Sequence, residues 1–357
     1  YQAGWQPVAA ICRWCWPLPS LQTCFDVEER RATLACVATA LTIGAFAVAA
    51  RLLVHVPVRK RKLVRRVAIT DLHRFAVKGL ERDKMEACML KVGDCFPADR
   101  MWALMRTDKL GEFNVEAPRW VDKMKFHAAC SAGPALARLQ TEYDDLSTRL
   151  TVRSKESHAL LLQAVLDESQ EREMAERFFE AHLRDCSDIA SSDANVTGRG
   201  VRIVRAMAGS VHQFGNTSSG VKANGDVRTI HLVNRETVRC LSRAAGVFVD
   251  PLRFRANILF DELPPWEEFQ WVGHRVAIGA EVELQVIKRT VRCAGTCTDP
   301  ATAENNLDVP ELLRKHFPEH GPYLGIYAQV GKAGTIRCGD ELRLCSQSLV
   351  EKENCKK

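Results

Sequence analysis

The 357-residue sequence lacks the short motifs of the common nucleotide-binding and hydrolytic enzymes. No GxGxxG fingerprint follows a strand pattern, no Walker loop is present, and no serine stands in a nucleophile elbow. The histidines form no His-Glu-x-x-His group, and Cys12 and Cys15 have no second Cys-x-x-Cys at zinc-ribbon spacing. A dinucleotide-binding fold, a P-loop, a serine hydrolase and a zinc site are therefore unsupported.

Strong charge of one sign is also absent. The net charge is +6 at pH 7, and part of it lies in one short run near the N-terminus, so we expect no nucleic-acid surface. The fourteen cysteines are scattered over a chain too long for a small disulfide scaffold, and this predicts free thiols in a reducing compartment. The length allows two domains of ordinary size.

Residues 32–50 contain no charged side chain. As a helix this stretch would span about 28 Å, close to the thickness of a bilayer core. We predict a transmembrane anchor at 32–54 between a tail at 1–31 and a basic linker at 55–66, with the following domains in the cytosol. Because alanine is a weak membrane former, a buried helix or a signal-peptide core is the alternative. The linker contains six basic residues: Arg59, Lys60, Arg61, Lys62, Arg65 and Arg66.

The remaining sequence predicts a β-rich α+β fold in two units, at 67–190 and 201–346, followed by a tail at 347–357. Short alternating runs between residues 67 and 153 predict strands. Apolar residues three and four apart predict a helix within 154–190, and a loop rich in Ser, Asp, Asn and Gly follows it. The sequence pattern of the second unit predicts strands, together with helices near 235–245 and 309–317.

Several sequence pieces occur together in one order, and as a set they resemble the MOSC domain and the β-barrel domain that precedes it. MOSC domains are found in molybdenum-cofactor sulfurases and in mitochondrial amidoxime-reducing components. The resemblance covers roughly residues 67–346. The pieces are LHRFAVKGL (72–80), ADRMWALM (98–105), IHLVNRETV (230–238), DPLRFRANI (250–258), VGHRVAIGAEVEL (272–284), RCAGTCTDPATA (292–303), LGIYAQV (324–330) and GTIRCGDEL (334–342).

The resemblance implies a molybdenum–molybdopterin cofactor with Cys293 as both the metal ligand and the catalytic residue. A soft thiolate suits a metal that the sulfurs of a pterin dithiolene already hold, and the adjacent Arg292 favours the thiolate form. We also assign Arg292 to the cofactor-binding residues. Cys297 raises the alternative of a two-cysteine metal site. If the segment is a strand, positions four apart lie roughly 13 Å from each other, so we assign Cys297 to packing.

The resemblance also implies cofactor contacts in the piece RFRAN. In an extended segment Arg253, Arg255 and Asn257 share one face and can bind an anionic pterin phosphate. The alternative is a solvated edge strand, and the sequence leaves open which arginine lies closer to the cofactor.

Further cofactor contacts follow from positions that match the family. Lys78, Gly79 and Arg100 match contact positions of the N-terminal barrel, although many relatives carry serine where this chain has Gly79. Asn234 and Thr237 occupy a stretch where relatives place polar residues near the cofactor.

Similarity to amidoxime-reducing components implies an oxidoreductase that reduces N-hydroxylated substrates. Its electrons would come from a b-type cytochrome and a flavin reductase, and its location would be the mitochondrial outer membrane. The alternative is a sulfur carrier or cofactor-maturation protein that works with a separate pyridoxal-phosphate desulfurase. A membrane-tethered cofactor store is a third, non-enzymatic reading.

Overall fold

The structure is a computed structural model, and it describes residues 66–114, 120–190, 200–206, 214–215 and 228–345. All of these residues belong to one compact unit, Val64–Lys357. The α-helices described are α1 (Gly133–Ala137), α2 (Ser169–Ala190), α3 (Arg235–Ala245) and α4 (Val309–His316). The strands described are β1 (Ala68–Arg74), β2 (Val77–Lys78), β3 (Asp83–Met85), β4 (Ala87–Leu90), β5 (Trp102–Arg106), β6 (Leu139–Asp144), β7 (Arg149–Ser154), β8 (Leu160–Val165), β9 (Val201–Arg205), β10 (Ile230–Asn234), β11 (Ile258–Asp261), β12 (Arg275–Ile278), β13 (Val282–Val291), β14 (Tyr323–Lys332), β15 (Gly334–Arg337) and β16 (Leu342–Leu344).

An eight-stranded sheet joins the early and late parts of the chain. Its order is β16-β12-β13-β14-β10-β11-β1-β3. The pair β10 and β11 is parallel, and the other neighbouring pairs are antiparallel. The strands β1 and β3 precede the predicted boundary near residue 190, yet they hydrogen-bond in the same sheet as the strands that carry the candidate site.

Of the four apolar clusters in the described residues, the two largest lie on the eight-stranded sheet and beneath α2. Leu232, Phe260 and Leu284 are fully buried on the large sheet. Trp102 and Phe179 are buried in the second cluster, which α2 covers. Full burial of side chains of this size contributes about 1.5–3 kcal/mol each to the free energy of unfolding. These clusters fix the strands whose ends reach the candidate site.

The predicted helices near 235–245 and 309–317 are confirmed. α3 begins after Asn234, whose side chain accepts a hydrogen bond from the Glu236 amide at 3.0 Å. It ends at Gly246, which has a φ of +68°. α4 begins after Asp308, whose carboxylate accepts from the Glu311 amide at 2.9 Å. Both helices therefore carry the capping residues that their sequences suggest.

The helical prediction for 154–190 was wrong in its first part. Leu160–Val165 forms β8, which pairs with β7, and the helix begins only at Ser169. Leu162 and Ala164 are buried while Gln163 between them is exposed, which is the alternation of a strand. The run LLLQAV is too short for its period to decide between helix and strand, and pairing with β7 decides it.

The β-rich α+β class is confirmed. The described strands between 68 and 165 are divided among four sheets, of which one is β2-β5-β9 and another is β6-β7-β8. The barrel that the resemblance implies is thus not a single hydrogen-bonded sheet in this part of the chain. No helix among the described residues is long and apolar enough to cross a membrane. The predicted anchor at 32–54 and the tails at 1–31 and 347–357 lie outside the described residues.

Candidate functional site

Strand β13 leads directly to Cys293. Cys293 itself is extended, with φ −139° and ψ 178°, and Ala294–Thr296 then form one 3-10 turn. The Thr296 amide and hydroxyl both donate to the Cys293 carbonyl, at 3.0 and 2.9 Å. The strand spacing expected between Cys293 and Cys297 was wrong, because the chain turns immediately after Cys293.

The guanidinium of Arg253 holds the loop that follows Cys293. It donates to the Cys297 carbonyl at 2.8 Å, to the Asp299 carboxylate at 2.6 Å and to the Asn306 amide oxygen at 2.5 Å. The side chain is buried, so these charge-assisted bonds are shielded from water. These hydrogen bonds occupy the Arg253 guanidinium, which therefore positions the loop that follows Cys293.

The segment RFRAN is a turn, and the prediction of an extended strand face was wrong. Asp250 accepts a hydrogen bond from the Leu252 amide at 2.8 Å, and Pro251–Phe254 form a 3-10 turn. Arg255 then takes the left-handed conformation, with a φ of +52°. Asp-Pro starts such turns because the carboxylate satisfies a free amide and proline presets its own φ. Consequently Arg253 and Arg255 have different surroundings.

A buried arginine–histidine pair supports the backbone around Arg255. Arg292 donates to the Leu324 carbonyl at 2.7 Å and to His231 Nε2 at 2.6 Å. Because a guanidinium only donates, Nε2 accepts, and the proton of the imidazole is on Nδ1, which lies 3.4 Å from the Arg255 carbonyl. Burial, and next the charge of Arg292, hold the pKa of His231 well below its usual range. His231 is therefore neutral at pH 7.

A cavity of about 450 Å³ opens beside Cys293. Its size is in the range of small-molecule sites, roughly 300–1,000 Å³. Among the described residues no carboxylate lines it, so it favours an anionic ligand. Seven cationic side chains line it: Lys78, Arg100, Lys123, Arg253, Arg255, Lys288 and Arg292.

Arg100 and Arg255 lie against the same aromatic ring. Their guanidinium carbons are 4.7 and 4.3 Å from the centroid of Phe75. Arg100 forms an ion pair with the buried Asp99, whereas the Arg255 guanidinium forms no hydrogen bond or ion pair with a described residue. Burial, and next the charge of Arg100, lower the pKa of Arg255 to about 9. A bound anion would relieve this repulsion and give Arg255 a partner.

Lys78 and Gly79 lie far from Cys293 in the sequence but line the same cavity. Lys78 Nζ donates to the Phe214 carbonyl at 2.9 Å, and burial, then the charge of Arg100, lower the pKa of Lys78 to about 7. Gly79 has a φ of +97°, and a Cβ there would lie 2.9 Å from the Ala128 Cα. The glycine that departs from the family pattern is therefore required by close packing.

Asn257 lies behind the cavity wall. Its amide oxygen accepts from the His231 amide at 3.1 Å, and its nitrogen donates to the His73 carbonyl at 3.1 Å. It lines a small adjoining space of about 40 Å³ together with Arg100 and Arg255. Asn257 therefore ties β1 to β10 and stands close to the cationic groups.

Asn234 and Thr237 do not line either of these cavities. Both bind the buried carboxyl of Glu268, at 3.1 Å from Asn234 Nδ2 and 2.8 Å from Thr237 Oγ1. Burial raises the pKa of Glu268 to about 7, although these hydrogen bonds oppose the shift. Within the described part of the chain these two residues organise the start of α3.

The cavity also contains residues that the sequence did not single out: Trp120, Lys123, Cys130, Lys288, Thr290, Tyr323 and Tyr327. Lys288, Thr290 and Arg292 alternate along the chain just before Cys293, and this spacing was a usable signal for one wall. The segment around 120–130 has no regular pattern, so its contribution could not be read from spacing.

Sequence comparison identifies the second part of the chain. The sequence model of the MOSC domain matches residues 192–343. The molybdenum cofactor sulfurase of Caenorhabditis elegans is 29% identical over 147 residues, which is 40% of this chain and 19% of that protein. The Caenorhabditis briggsae molybdenum cofactor sulfurase is 32% identical over 98 residues, 27% of this chain and 13% of that protein. The chain thus matches less than a fifth of the length of either relative.

Two solved structures that align with this chain have lower sequence identity to it than the two sulfurases. The YUAD protein from Bacillus subtilis aligns over 80% of this chain and 98% of its own, with 12% identity and a TM-score of 0.33. YiiM from Geobacillus stearothermophilus aligns over 34% of this chain and 56% of its own, with 20% identity and a TM-score of 0.27. The sequence match therefore carries the assignment: this chain contains a MOSC domain, at residues 192–343.

Proposed function

We propose that the cavity binds a molybdenum–molybdopterin cofactor, with the thiolate of Cys293 as the protein ligand to the metal. The observation that carries this proposal is the position of Cys293 on the wall of a cavity of about 450 Å³ with seven cationic side chains and, in the described residues, no carboxylate. A pterin that bears a phosphate is anionic and forms many hydrogen bonds, so it matches such a lining.

The residues present fit this cofactor. No group of three or more His, Cys, Asp or Glu side chains gathers as a metal site in the described part of the chain. A metal beside Cys293 would therefore need further ligands from a cofactor, and the sulfurs of a pterin dithiolene are of the soft kind that accompanies a thiolate. The Arg255 guanidinium lies on the Phe75 ring but has no hydrogen-bond or ion-pair partner among the described residues, and Thr290 Oγ1 is buried without one.

Different residues of the chain would contact different parts of the cofactor. Arg255, Arg100 and Lys78 would bind its phosphate and hydrogen-bonding edges. Arg253 would position Cys293 through the loop that it clamps, at 2.8 Å from its guanidinium to the Cys297 carbonyl. When bound, the cofactor supplies the two-electron redox chemistry, and the protein supplies binding, orientation and charge.

The activity that we propose is reduction of N-hydroxylated substrates. Its electron donors would be a b-type cytochrome and a flavin reductase. The support is the ordered set of family pieces, including RCAGTCTDPATA and DPLRFRANI. The basic cluster at 59–66 supports a membrane-anchored protein with its domains in the cytosol. The mitochondrial outer membrane as its location rests on the resemblance alone.

A sulfur-carrier or maturation role is the second candidate. The observation that favours it is the name of the two curated relatives, both molybdenum cofactor sulfurases. In that role Cys293 would work with a separate pyridoxal-phosphate desulfurase.

An assay of amidoxime turnover distinguishes the reductase function from the sulfur-carrier or maturation role. The chain is purified, its molybdenum and pterin are quantified, and reduction of benzamidoxime is measured with reduced cytochrome as donor. We expect about one molybdenum and one pterin per chain, with continuous turnover. Bound cofactor without amidoxime reduction would favour the maturation role, and absence of both metal and pterin from a well-folded preparation would contradict the cofactor proposal.

A further inference from the structure

The strand that leads to Cys293 presents additional polar groups to the cavity. Lys288 and Thr290 of β13 line it together with Arg292. The register of β13 against β14 shifts between Arg289 and Val291, so the row is defined by the lining itself, as Lys288, Thr290 and Arg292. Arg289 between them is exposed, and its guanidinium lies 4.4 Å from the ring centroid of Phe269 outside that row.

Both Lys288 and Thr290 lack a partner among the described residues. Thr290 is 2% exposed, and its hydroxyl forms no hydrogen bond. Lys288 forms no ion pair in the same part of the chain. A buried hydroxyl without a partner is destabilising, and a bound ligand can supply one. Lys288 lines the same cavity, and its positive charge favours a negatively charged ligand.

Lys288 and Thr290 are separate from the cations assigned to the cofactor. Arg100 and Arg255 lie on the Phe75 ring, whereas Lys288 lies on β13 opposite Tyr327 of β14. Three and five residues of extended chain span at most about 11 and 18 Å, so the Thr290 and Lys288 Cα atoms lie within these distances of the Cys293 Cα. Because the lysine side chain is long, its ammonium group can reach back toward Thr290.

We infer that Lys288 and Thr290 form a subsite for a carboxylate carried by the substrate, in the same cavity as Cys293. This inference rests on the proposed reductase function, and it narrows the substrate class to N-hydroxylated compounds with an acidic group. Lys288 supplies the charge and Thr290 donates a hydrogen bond. A cationic substrate is repelled by the same lining.

The test compares two substrates in the holoenzyme. Benzamidoxime and 4-carboxybenzamidoxime differ only in the acidic group. We expect a kcat/KM at least about tenfold higher for the carboxylate in the wild type, and loss of this preference by about tenfold or more in Lys288→Met. Thr290→Val should lower the preference by about threefold or more. The matched control is Arg289→Met, which removes a neighbouring cation outside the row and should keep the wild-type preference.

Direct binding separates failure of the subsite from failure of the reductase proposal. Equilibrium dialysis measures binding of 4-carboxybenzamidoxime to wild type and variants, and pterin content is measured in parallel. Lys288-dependent binding without turnover would support the subsite and contradict the reductase proposal. Equal binding in all proteins, an unchanged substrate preference in Lys288→Met, or loss of pterin from that variant would overturn the subsite.

Discussion

Arg253 and Arg255 are two positions apart and differ in what their guanidinium groups contact. Arg253 binds Asp299 and the Cys297 carbonyl, whereas the Arg255 guanidinium lies on the Phe75 ring without a hydrogen-bond or ion-pair partner among the described residues. We predict that Arg255→Lys lowers cofactor retention about tenfold or more, because lysine cannot reproduce two parallel donors. Arg253→Lys should instead lower the thermal stability of the apo protein, since it leaves buried acceptors of the Cys293 loop without donors.

The measurements are pterin per chain after dialysis and thermal unfolding of both apo variants. Arg255→Lys with undiminished pterin would remove Arg255 from the cofactor contacts. Equal loss of apo stability in both variants would mean that Arg255, too, serves the fold.

Lys78 gives the apo protein a specific pH dependence. Its pKa is lowered from 10.5 to about 7 in the folded state, mainly by burial. Between these values the unfolded chain binds more protons than the folded chain, so the free energy of unfolding rises with pH from about 7 to 10.5. We predict that Lys78→Met removes this rise.

Urea unfolding of the apo protein with reductant, at neutral pH and at about pH 9, checks this prediction. Lys84→Met is the control, because Lys84 is exposed on β3. If the free energy of unfolding rose equally with pH in the Lys78→Met and wild-type proteins, Lys78 would be charged in the folded protein at both pH values.

The tight connection after β2 depends on Gly79. Gly79 and Gly93 both have positive φ, +97° and +71°, but a Cβ at Gly79 would lie 2.9 Å from the Ala128 Cα while nothing lies within 4 Å at Gly93. Both alanine variants carry the backbone penalty, and only Gly79→Ala adds a clash with main chain. We predict that Gly79→Ala lowers the free energy of unfolding by about 1–3 kcal/mol more than Gly93→Ala.

Denaturant unfolding of the two variants measures this difference directly. A Gly79→Ala protein as stable as Gly93→Ala would mean that the 127–128 backbone moves away at little cost. Cofactor content of the same variants would then show whether that movement also disturbs Lys78.

Elements with local signals were predictable from the sequence, and elements that depend on distant partners were not. α3 and α4 carry their own caps at Asn234 and Asp308. β8 became a strand only through pairing with β7. The turn in RFRAN was signalled by Asp250-Pro251, but the alternating arginines suggested a strand.

The candidate site, too, was predictable where residue type and family order suffice, and unpredictable where it depends on contacts distant in sequence. Residue type and family order placed Lys78, Arg100, Arg255 and Cys293, which the structure brings to one cavity. The separate partners of Arg253 and the contribution of Cys130 depend on contacts between loops far apart in sequence. Single-sequence patterns contain no record of such contacts.

The molecule as a whole should tolerate removal of the residues before Val64. The described residues belong to the unit Val64–Lys357, and its first strand begins at Ala68. The Val67 carbonyl accepts from the Leu342 amide at 2.8 Å, so the cut must precede Val67. We predict that a fragment starting at residue 64 folds cooperatively and binds the cofactor.

A fragment starting at residue 76 is the control. It lacks β1, which lies between β11 and β3 in the large sheet and contains the fully buried Leu72. Circular dichroism and cofactor content are measured on both fragments. An unfolded fragment from residue 64 would contradict the boundary, and a folded fragment from residue 76 would contradict the importance of β1.

The assignment of Cys293 as the metal ligand is the central claim, and X-ray absorption at the molybdenum edge tests it most directly. The wild type should show one more sulfur neighbour of the metal than Cys293→Ser, and Cys293→Ser should lose amidoxime reduction while staying folded. Cys297→Ser is the matched control, four positions away in the same loop, and should keep the wild-type sulfur count. An unchanged sulfur count in Cys293→Ser would contradict the account.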